Sequence, residues 1–208
     1  MKLYHCPGTC SRAPHIVLEE LGIPFELHEI SLMKGEGQTP EYKKINPTGG
    51  VPVLEIAPGD YLREVQVILQ YLADQNPDRK LAPPAGTRER YELMQWLGFL
   101  ATDVHKNFWP VFFTRRITQN EEAQNDIRKV FVEQRLAPRW VQLSEKLGDR
   151  DYLLGEFSVA DAYLYTVLTW AQKTKQEIPA NLQAFMQRME ARPAVQRVLE
   201  KEDAKVNA

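Results

Sequence analysis

Two cysteines stand close together in His5-Cys6-Pro7-Gly8-Thr9-Cys10, where a short β-prone run gives way to a helical pattern. A thiol in the first turn of a helix faces unpaired backbone N–H groups and the positive end of the helix dipole, which lowers its pKa and favours thiolate. That argument selects Cys10, on the helix side. Cys6, at the strand end, reads as a small packing residue. The spacing is C-x3-C and not the C-x-x-C of a dithiol redox motif, so a disulfide between them is the lesser expectation. Adding His5 makes three adjacent ligands without a fourth, which falls short of a tetrahedral site, and no metal is expected.

Other residues offer binding chemistry. Gly50-Val51-Pro52 precedes a strand-like run, and proline rarely enters an interior strand except at a special turn. A cis bond there would present the backbone N–H and C=O of Val51 to a peptide-like ligand; an ordinary trans strand start is the alternative. Glu64 opens a helix and either answers a ligand's ammonium group or complements the helix dipole. His105 lies in a helical pattern beside Gly98, Ala101 and Thr102, a strip of small side chains that leaves room for close helix packing or for a ligand. Phe108, Trp109, Phe112 and Phe113 follow; most read as core, although a crevice lined by them suits an apolar ligand.

The elements that must position these residues fall into two grammars. The first eighty residues carry a strand at 2–5, an amphipathic helix at 11–21 stopped by Gly22, and a strand at 25–30, which is a βαβ unit with parallel pairing. Residues 51–56 and 61–62 flank the turn Pro58-Gly59-Asp60 as a hairpin, and Val65, Ile68, Leu69 and Leu72 line a further helix. The order is βαβ, loop, ββα. Residues 76–86, rich in proline and glycine, read as a linker. Beyond them the apolar spacing is helical throughout: Leu93 to Val104, then Leu136, Trp140, Leu143 and Leu147 with Pro138 expected to kink or break the helix, then a helix capped by Ser158 with Asp161 at its third position. The expected domains are 1–77, α/β, and 87–208, all-α.

The chain of 208 residues balances 26 Lys and Arg against 28 Asp and Glu, a net charge of -2 that excludes a protein built to grip a phosphate backbone. A hydrophobic share of 43% suffices for a packed core. No apolar run approaches the roughly 20 residues of a membrane span, and no secretory h-region follows Lys2. Two cysteines make no disulfide framework, so the expected compartment is the cytoplasm.

The runs MKLYHCPGTCSRAPHIVLEELGIPFE, INPTGGVPVLEI, REVQVILQYLAD, WLGFLATDVHKNF and FSVADAYLYTVLTWA, in this order, resemble the bacterial beta-class glutathione S-transferases over nearly the whole chain. The resemblance implies a thioredoxin-like domain followed by an all-helical domain, a homodimer, and conjugation of the glutathione thiol to small apolar electrophiles. It implies that Cys10 faces the glutathione sulfur and forms a mixed disulfide with it, that Val51 pairs with the cysteinyl unit beside a cis Pro52, and that Glu64 receives the γ-glutamyl amine. His105 and Lys106 match residues of the second domain that reach the glutathione site. Cys10 and His105 then help to lower the pKa of the glutathione thiol by hydrogen bonding. Lys34 falls near the basic residue for the glycyl carboxylate, and Ser158 with Asp161 match a helix-capping box. Two rivals are thiol–disulfide exchange at Cys10 and a non-catalytic binding module on the same fold.

The departures are as informative. Val65 stands where the family has a serine for the γ-glutamyl carboxylate, Gly98 where it often has an asparagine lent by the partner subunit, Gly35 beside Lys34 at one of the expected basic positions, and His5 and Cys6 replace more usual residues. Without the serine hydroxyl, the carboxylate depends on the Val65 backbone N–H at the helix start. The missing charge-assisted bond predicts that Val65→Ser binds glutathione roughly tenfold more tightly, with the fold unchanged, as measured by calorimetry.

Overall fold

A computed structural model of the protein describes residues 1–206. Strands β1 (Lys2–His5), β2 (Glu26–Glu29), β3 (Val53–Ala57) and β4 (Asp60–Arg63) form one sheet in the order β2-β1-β3-β4. β1 and β2 pair in parallel, with Lys2 opposite Glu26 and His5 opposite Glu29, and α1 (Arg12–Leu21) makes the crossover. β3 runs antiparallel to both β1 and β4. The expected order holds with one addition. The loop between β2 and β3 contains α2 (Pro40–Ile45), capped by Thr39, whose hydroxyl accepts from the Tyr42 N–H at 3.3 Å. Its Thr-Pro-Glu opening is a helix-start signal that the sequence analysis passes over. β3 starts at Val53, two residues later than expected, since Pro52 has no N–H to give a ladder.

α3 (Val65–Asp74) packs against α1, and Leu3, Ile16, Leu54, Ile68 and Leu69 are fully buried between sheet and helices. The linker is a strap. Arg79 Nη2 donates to the Leu21 carbonyl at 2.7 Å, Leu81 is buried, and its carbonyl accepts from the Val159 N–H at 2.9 Å.

The rest is helical: α4 (Arg88–Phe99), α5 (Lys106–Phe112), α6 (Glu121–Val130), α7 (Ala137–Leu147), α8 (Val159–Lys173), α9 (Ala180–Glu190) and α10 (Pro193–Val206). The thioredoxin-like and all-α halves expected from the resemblance are both present. Pro138 does not break its helix. A π-helical stretch, Phe131–Leu136, joins α6 to α7 just before it, and Leu100–His105 joins α4 to α5 before Pro110. Proline removes one backbone donor and crowds the preceding turn; a wider turn absorbs both effects, so the helical path continues. His105 closes the second of these wide turns.

One apolar core runs through both halves, from Leu3 and Ile16 to Trp140, Tyr163 and Phe185. Each fully buried large side chain contributes about 1.5–3 kcal/mol. α8 is its axis, and Asp161 anchors the helix start: Oδ1 accepts from the Leu153 N–H at 2.9 Å, Oδ2 from the Ser158 N–H and hydroxyl at 2.8 Å each. Burial pushes this carboxyl up from 3.8 to about 6, against the pull of those donors. The native state therefore holds the proton more tightly than the unfolded chain, so this group's pH-linked contribution is complete below pH 3.8 and is lost as pH rises through about 6. Asp161→Ala leaves two buried N–H groups unpaired, and urea unfolding at pH 7 is expected to show a loss of about 2–4 kcal/mol.

Candidate active site

The turn between β1 and α1 is tied to itself. Cys6 N–H donates to Ser11 Oγ at 3.0 Å, and Thr9 Oγ1 donates to the Cys6 carbonyl at 2.8 Å. This holds Cys10 at the mouth of α1, half-buried, with its Sγ donating to the Val51 carbonyl at 3.2 Å. The Val51–Pro52 peptide is cis. The chain entering it is clamped, since the Gly50 carbonyl accepts from Tyr42 Oη and Asn46 Nδ2, both at 2.8 Å. Gly37 and Gly49 pack backbone on backbone: a Cβ on Gly37 would lie 2.2 Å from the Gly49 oxygen, and one on Gly49, with φ 73°, 2.3 Å from the Gly37 oxygen. Only glycine permits that approach, which fastens the segment after β2, with exposed Lys34, to the Val51 segment.

The expectation of a Cys10 thiolate is corrected. Burial pushes the thiol up to about 12; the N–H groups of Cys10 and Ser11 pull it down by less, and Glu64 and Cys6 push it further up. The helix start is present, but desolvation of the charged form outweighs it. Cys10 is a neutral thiol at pH 7. Burial raises the Cys6 thiol as well.

Glu64 is exposed at the start of α3 with φ 68° and ψ 121°, a conformation that side chains rarely adopt. Such strain persists where the surroundings impose it, often at a site that uses it. Val65 is only 6% exposed and belongs to the core. This corrects one part of the serine argument: Val65→Ser removes buried methyl groups, costing about 1–2 kcal/mol of stability alongside any gain in binding.

The helical half supplies the facing wall. His105 Nδ1 lies 2.7 Å from the Tyr163 hydroxyl, and its ring sits edge-to-face on Trp170 with centroids 4.9 Å apart. Trp170 Nε1 in turn donates to the Gly8 carbonyl at 2.9 Å, two residues before Cys10. Burial pushes His105 down to about 4, so its ring is neutral at pH 7. The Tyr163 phenol is pushed up by burial and further by Cys10 and Glu64, which places it within electrostatic reach of both. From the sequence, Tyr163 and Trp170 read only as part of the apolar face of the helix that Ser158 caps. The available signal was their polar tips, seven residues apart on one face of a helix too apolar to leave them in water.

Gly98 has no atom within 4 Å of where a Cβ would stand, so the strip beside His105 is open. Lys106 follows His105 in an exposed position. Of the aromatic cluster only Phe108 is core, at 1% exposure; Trp109, Phe112 and Phe113 are 45%, 36% and 37% exposed, against the expectation that most would be core. The Phe112 ring lies 6.0 Å from Trp170, so an aromatic wall leads outward from His105. Cys10 touches Val51 beside the cis Pro52, Tyr163 lies within electrostatic reach of Cys10 and Glu64 and bonds His105, and Lys34 and Lys106 are exposed. These groups offer neutral hydrogen-bond donors and, at Val51, a strand-entry carbonyl that accepts from Cys10 Sγ.

Residues 7–75 match the model of the glutathione S-transferase N-terminal domain and residues 102–202 that of the C-terminal domain. The chain is 40% identical over 209 residues to glutathione S-transferase GstA of Escherichia coli O157:H7, covering 99% of this chain and 100% of that protein. It is also similar to the bacterial beta-class enzyme of Sphingomonas chungbukensis, with TM-score 0.82, 36% identity and coverage of 97% of this chain and 98% of that one. A sphingomonad glutathione S-transferase complexed with glutathione matches with TM-score 0.82, 36% identity and coverage of 98% and 99%. With both domain models matched in order and such identity kept over the full length, the chain belongs to the glutathione S-transferase family, alongside its bacterial beta-class members.

Proposed function

We propose that this protein is a glutathione transferase that joins the thiol of glutathione to small, largely apolar electrophiles. The observation that carries this reading is the Cys10 thiol, kept protonated beside the Val51 carbonyl and within electrostatic reach of Tyr163, which bonds a neutral His105. Conjugation needs the thiolate of glutathione, and a neutral S–H donor stabilises an arriving thiolate without repelling it. In this reading Val51 turns its backbone N–H and C=O to the cysteinyl unit, displacing the Cys10 contact, beside cis Pro52. Glu64 takes the γ-glutamyl amine, the N–H of Val65 and the start of α3 take the γ-glutamyl carboxylate, and Lys34 takes the glycyl carboxylate. A Tyr163 hydroxyl donating to Nδ1 leaves the His105 proton on Nε2, where it serves as a second neutral donor; Lys106 adds positive charge at the rim. The thiolate then attacks the electrophile, a C–S bond forms, and the leaving group departs along the aromatic wall of Trp109, Phe112 and Phe113.

The domain division at 1–77 and 87–208 belongs to the same proposal, although residues 207–208 lie outside the described residues. So does a homodimer: α3 and α4 leave Val67, Tyr91 and Met94 at 42%, 58% and 45% exposure, an apolar strip that a twofold mate covers. We place it in the cytoplasm; among the described residues no helix is long and apolar enough to cross a membrane, and both cysteines are free.

Cys10 is also able to take up glutathione as a mixed disulfide, by attack of its thiolate on oxidised glutathione with release of one reduced molecule. The raised pKa makes this the slower chemistry at pH 7. Retention on immobilised glutathione and turnover of a chromogenic aryl halide at millimolar glutathione are expected; the absence of both would favour a binding module. Cys10→Ala is expected to lower conjugation about five- to tenfold, the loss of one hydrogen bond of about 1 kcal/mol, and to abolish the glutathione adduct seen by intact mass after exposure to oxidised glutathione. Complete loss of conjugation would instead make Cys10 the nucleophile.

A second measurement addresses His105. Its folded pKa lies below the usual value of 6.5, so the proton penalises the fold, and stability from this group is lost as pH falls from 6.5 toward about 4. NMR titration of labelled imidazoles is expected to place the His105 midpoint near 4, with the ring neutral across the working range; a midpoint at or above 6.5 would show a solvated ring and remove it from this mechanism.

A further inference from the structure

In the sequence, His5 stands beside two cysteines. The fold gives it different company. His5 ends β1, His15 stands one turn into α1, and Glu202 lies on α10, yet one ligand atom from each lies within 4.8 Å of the other two. All three are buried, at 2%, 0% and 1% exposure. The carboxylate is used unevenly. Its Oε2 accepts from Arg12 Nε at 2.8 Å and from the Gly8 N–H at 2.9 Å. Its Oε1 has no hydrogen bond; the nearest partner, His15 Nδ1, is 3.7 Å away, too far to count as one. Neither ring nitrogen of His15 has a hydrogen-bond partner.

Buried polar atoms are almost always hydrogen-bonded to protein or ordered water or bound to an ion, and His15 and Glu202 Oε1 meet only across 3.7 Å, without a hydrogen bond, a contact that a water or an ion between them would complete. We propose that His5, His15 and Glu202, with a water completing the fourth position, bind a divalent transition ion of the zinc type, tying α10 to the end of β1 and to α1. Two imidazoles and one carboxylate are borderline donors that suit such an ion, whereas calcium and magnesium prefer all-oxygen sets. The bonds from Arg12 and Gly8 to the second carboxylate oxygen are the outer contacts that orient a ligating group. With bonds of about 2.1 Å, two ligand atoms on one ion stand at most about 4.2 Å apart, so the rings must draw in slightly on binding. The site contains none of Cys10, Val51, Pro52, Glu64 or His105, although the Gly8 N–H that binds Glu202 belongs to the turn that holds Cys10.

The test uses the full chain, stripped with chelator in denaturant and refolded with or without zinc or cobalt(II). After passage over a chelating resin, elemental analysis is expected to find about one zinc per chain, with a raised melting temperature. Cobalt is expected to give visible ligand-field bands without a thiolate charge-transfer band. His5→Phe and Glu202→Gln are expected to lose the retained metal, while Cys6→Ser keeps it. Should Glu202→Gln fail to fold, His5→Phe and the cobalt spectrum still decide. The proposal fails if wild type retains no metal, which would leave the gap to an internal water. It fails equally if His5→Phe retains metal undiminished, or if a thiolate band appears and uptake depends on Cys6.

Discussion

The first ten residues of α8, Val159 to Leu168, are all buried, with α1 packed against one side of the helix and the wide turn carrying His105 against another. A helix in that position can hold a polar group only if the group is paired within the protein. Each polar atom on it therefore becomes a joint. Asp161 binds the loop before it, Thr166 returns its hydroxyl to the Ala162 carbonyl at 2.8 Å, Tyr163 meets His105, and Trp170 meets Gly8. The last two joints link the helical half to the turn that holds Cys10. The placement of His105 and of the Gly8 turn follows from the need to satisfy polar tips on a buried helix.

The same burial sets the charge state of the site. Desolvation favours the neutral form of whatever it covers, raising Cys10 and Tyr163 and lowering His105. The result is a set of uncharged donors in surroundings of low dielectric, where a hydrogen bond to an arriving anion is stronger than in water. Charge stands at the rim, on Glu64, Lys34 and Lys106, all exposed. In the proposed reading, neutral groups would surround the reacting sulfur and charged groups the ends of a zwitterionic peptide, a division of labour suited to glutathione.

Backbone geometry supplies what side chains do not. The paired glycines 37 and 49 bring two segments closer than any Cβ allows, and Glu64 is held at a positive φ at the first turn of α3. Together with the clamped carbonyl of Gly50, these features put three separate chain segments at the same end of the sheet.

Much of this was legible beforehand. The period of the apolar residues determined the strand, helix and hairpin order and the change of grammar near residue 80, because burial on one face imposes period on sequence. The Cys10, Val51 and Glu64 segments were recognisable because each marks a handover between elements. What the sequence left undecided were quantities that depend on neighbours remote along the chain. The helix start that favours a Cys10 thiolate is local and visible in the sequence, whereas the desolvation that overrides it comes from tertiary packing. Pro138 suggested a break because the π turn that absorbs it is a cooperative adjustment of the helix before it. His15 and Glu202 stand 187 positions apart and carried no shared signal. Local propensity and period are written residue by residue; the pKa of a buried group, and the company it keeps, are properties of the packed interior and exist only once the chain has folded.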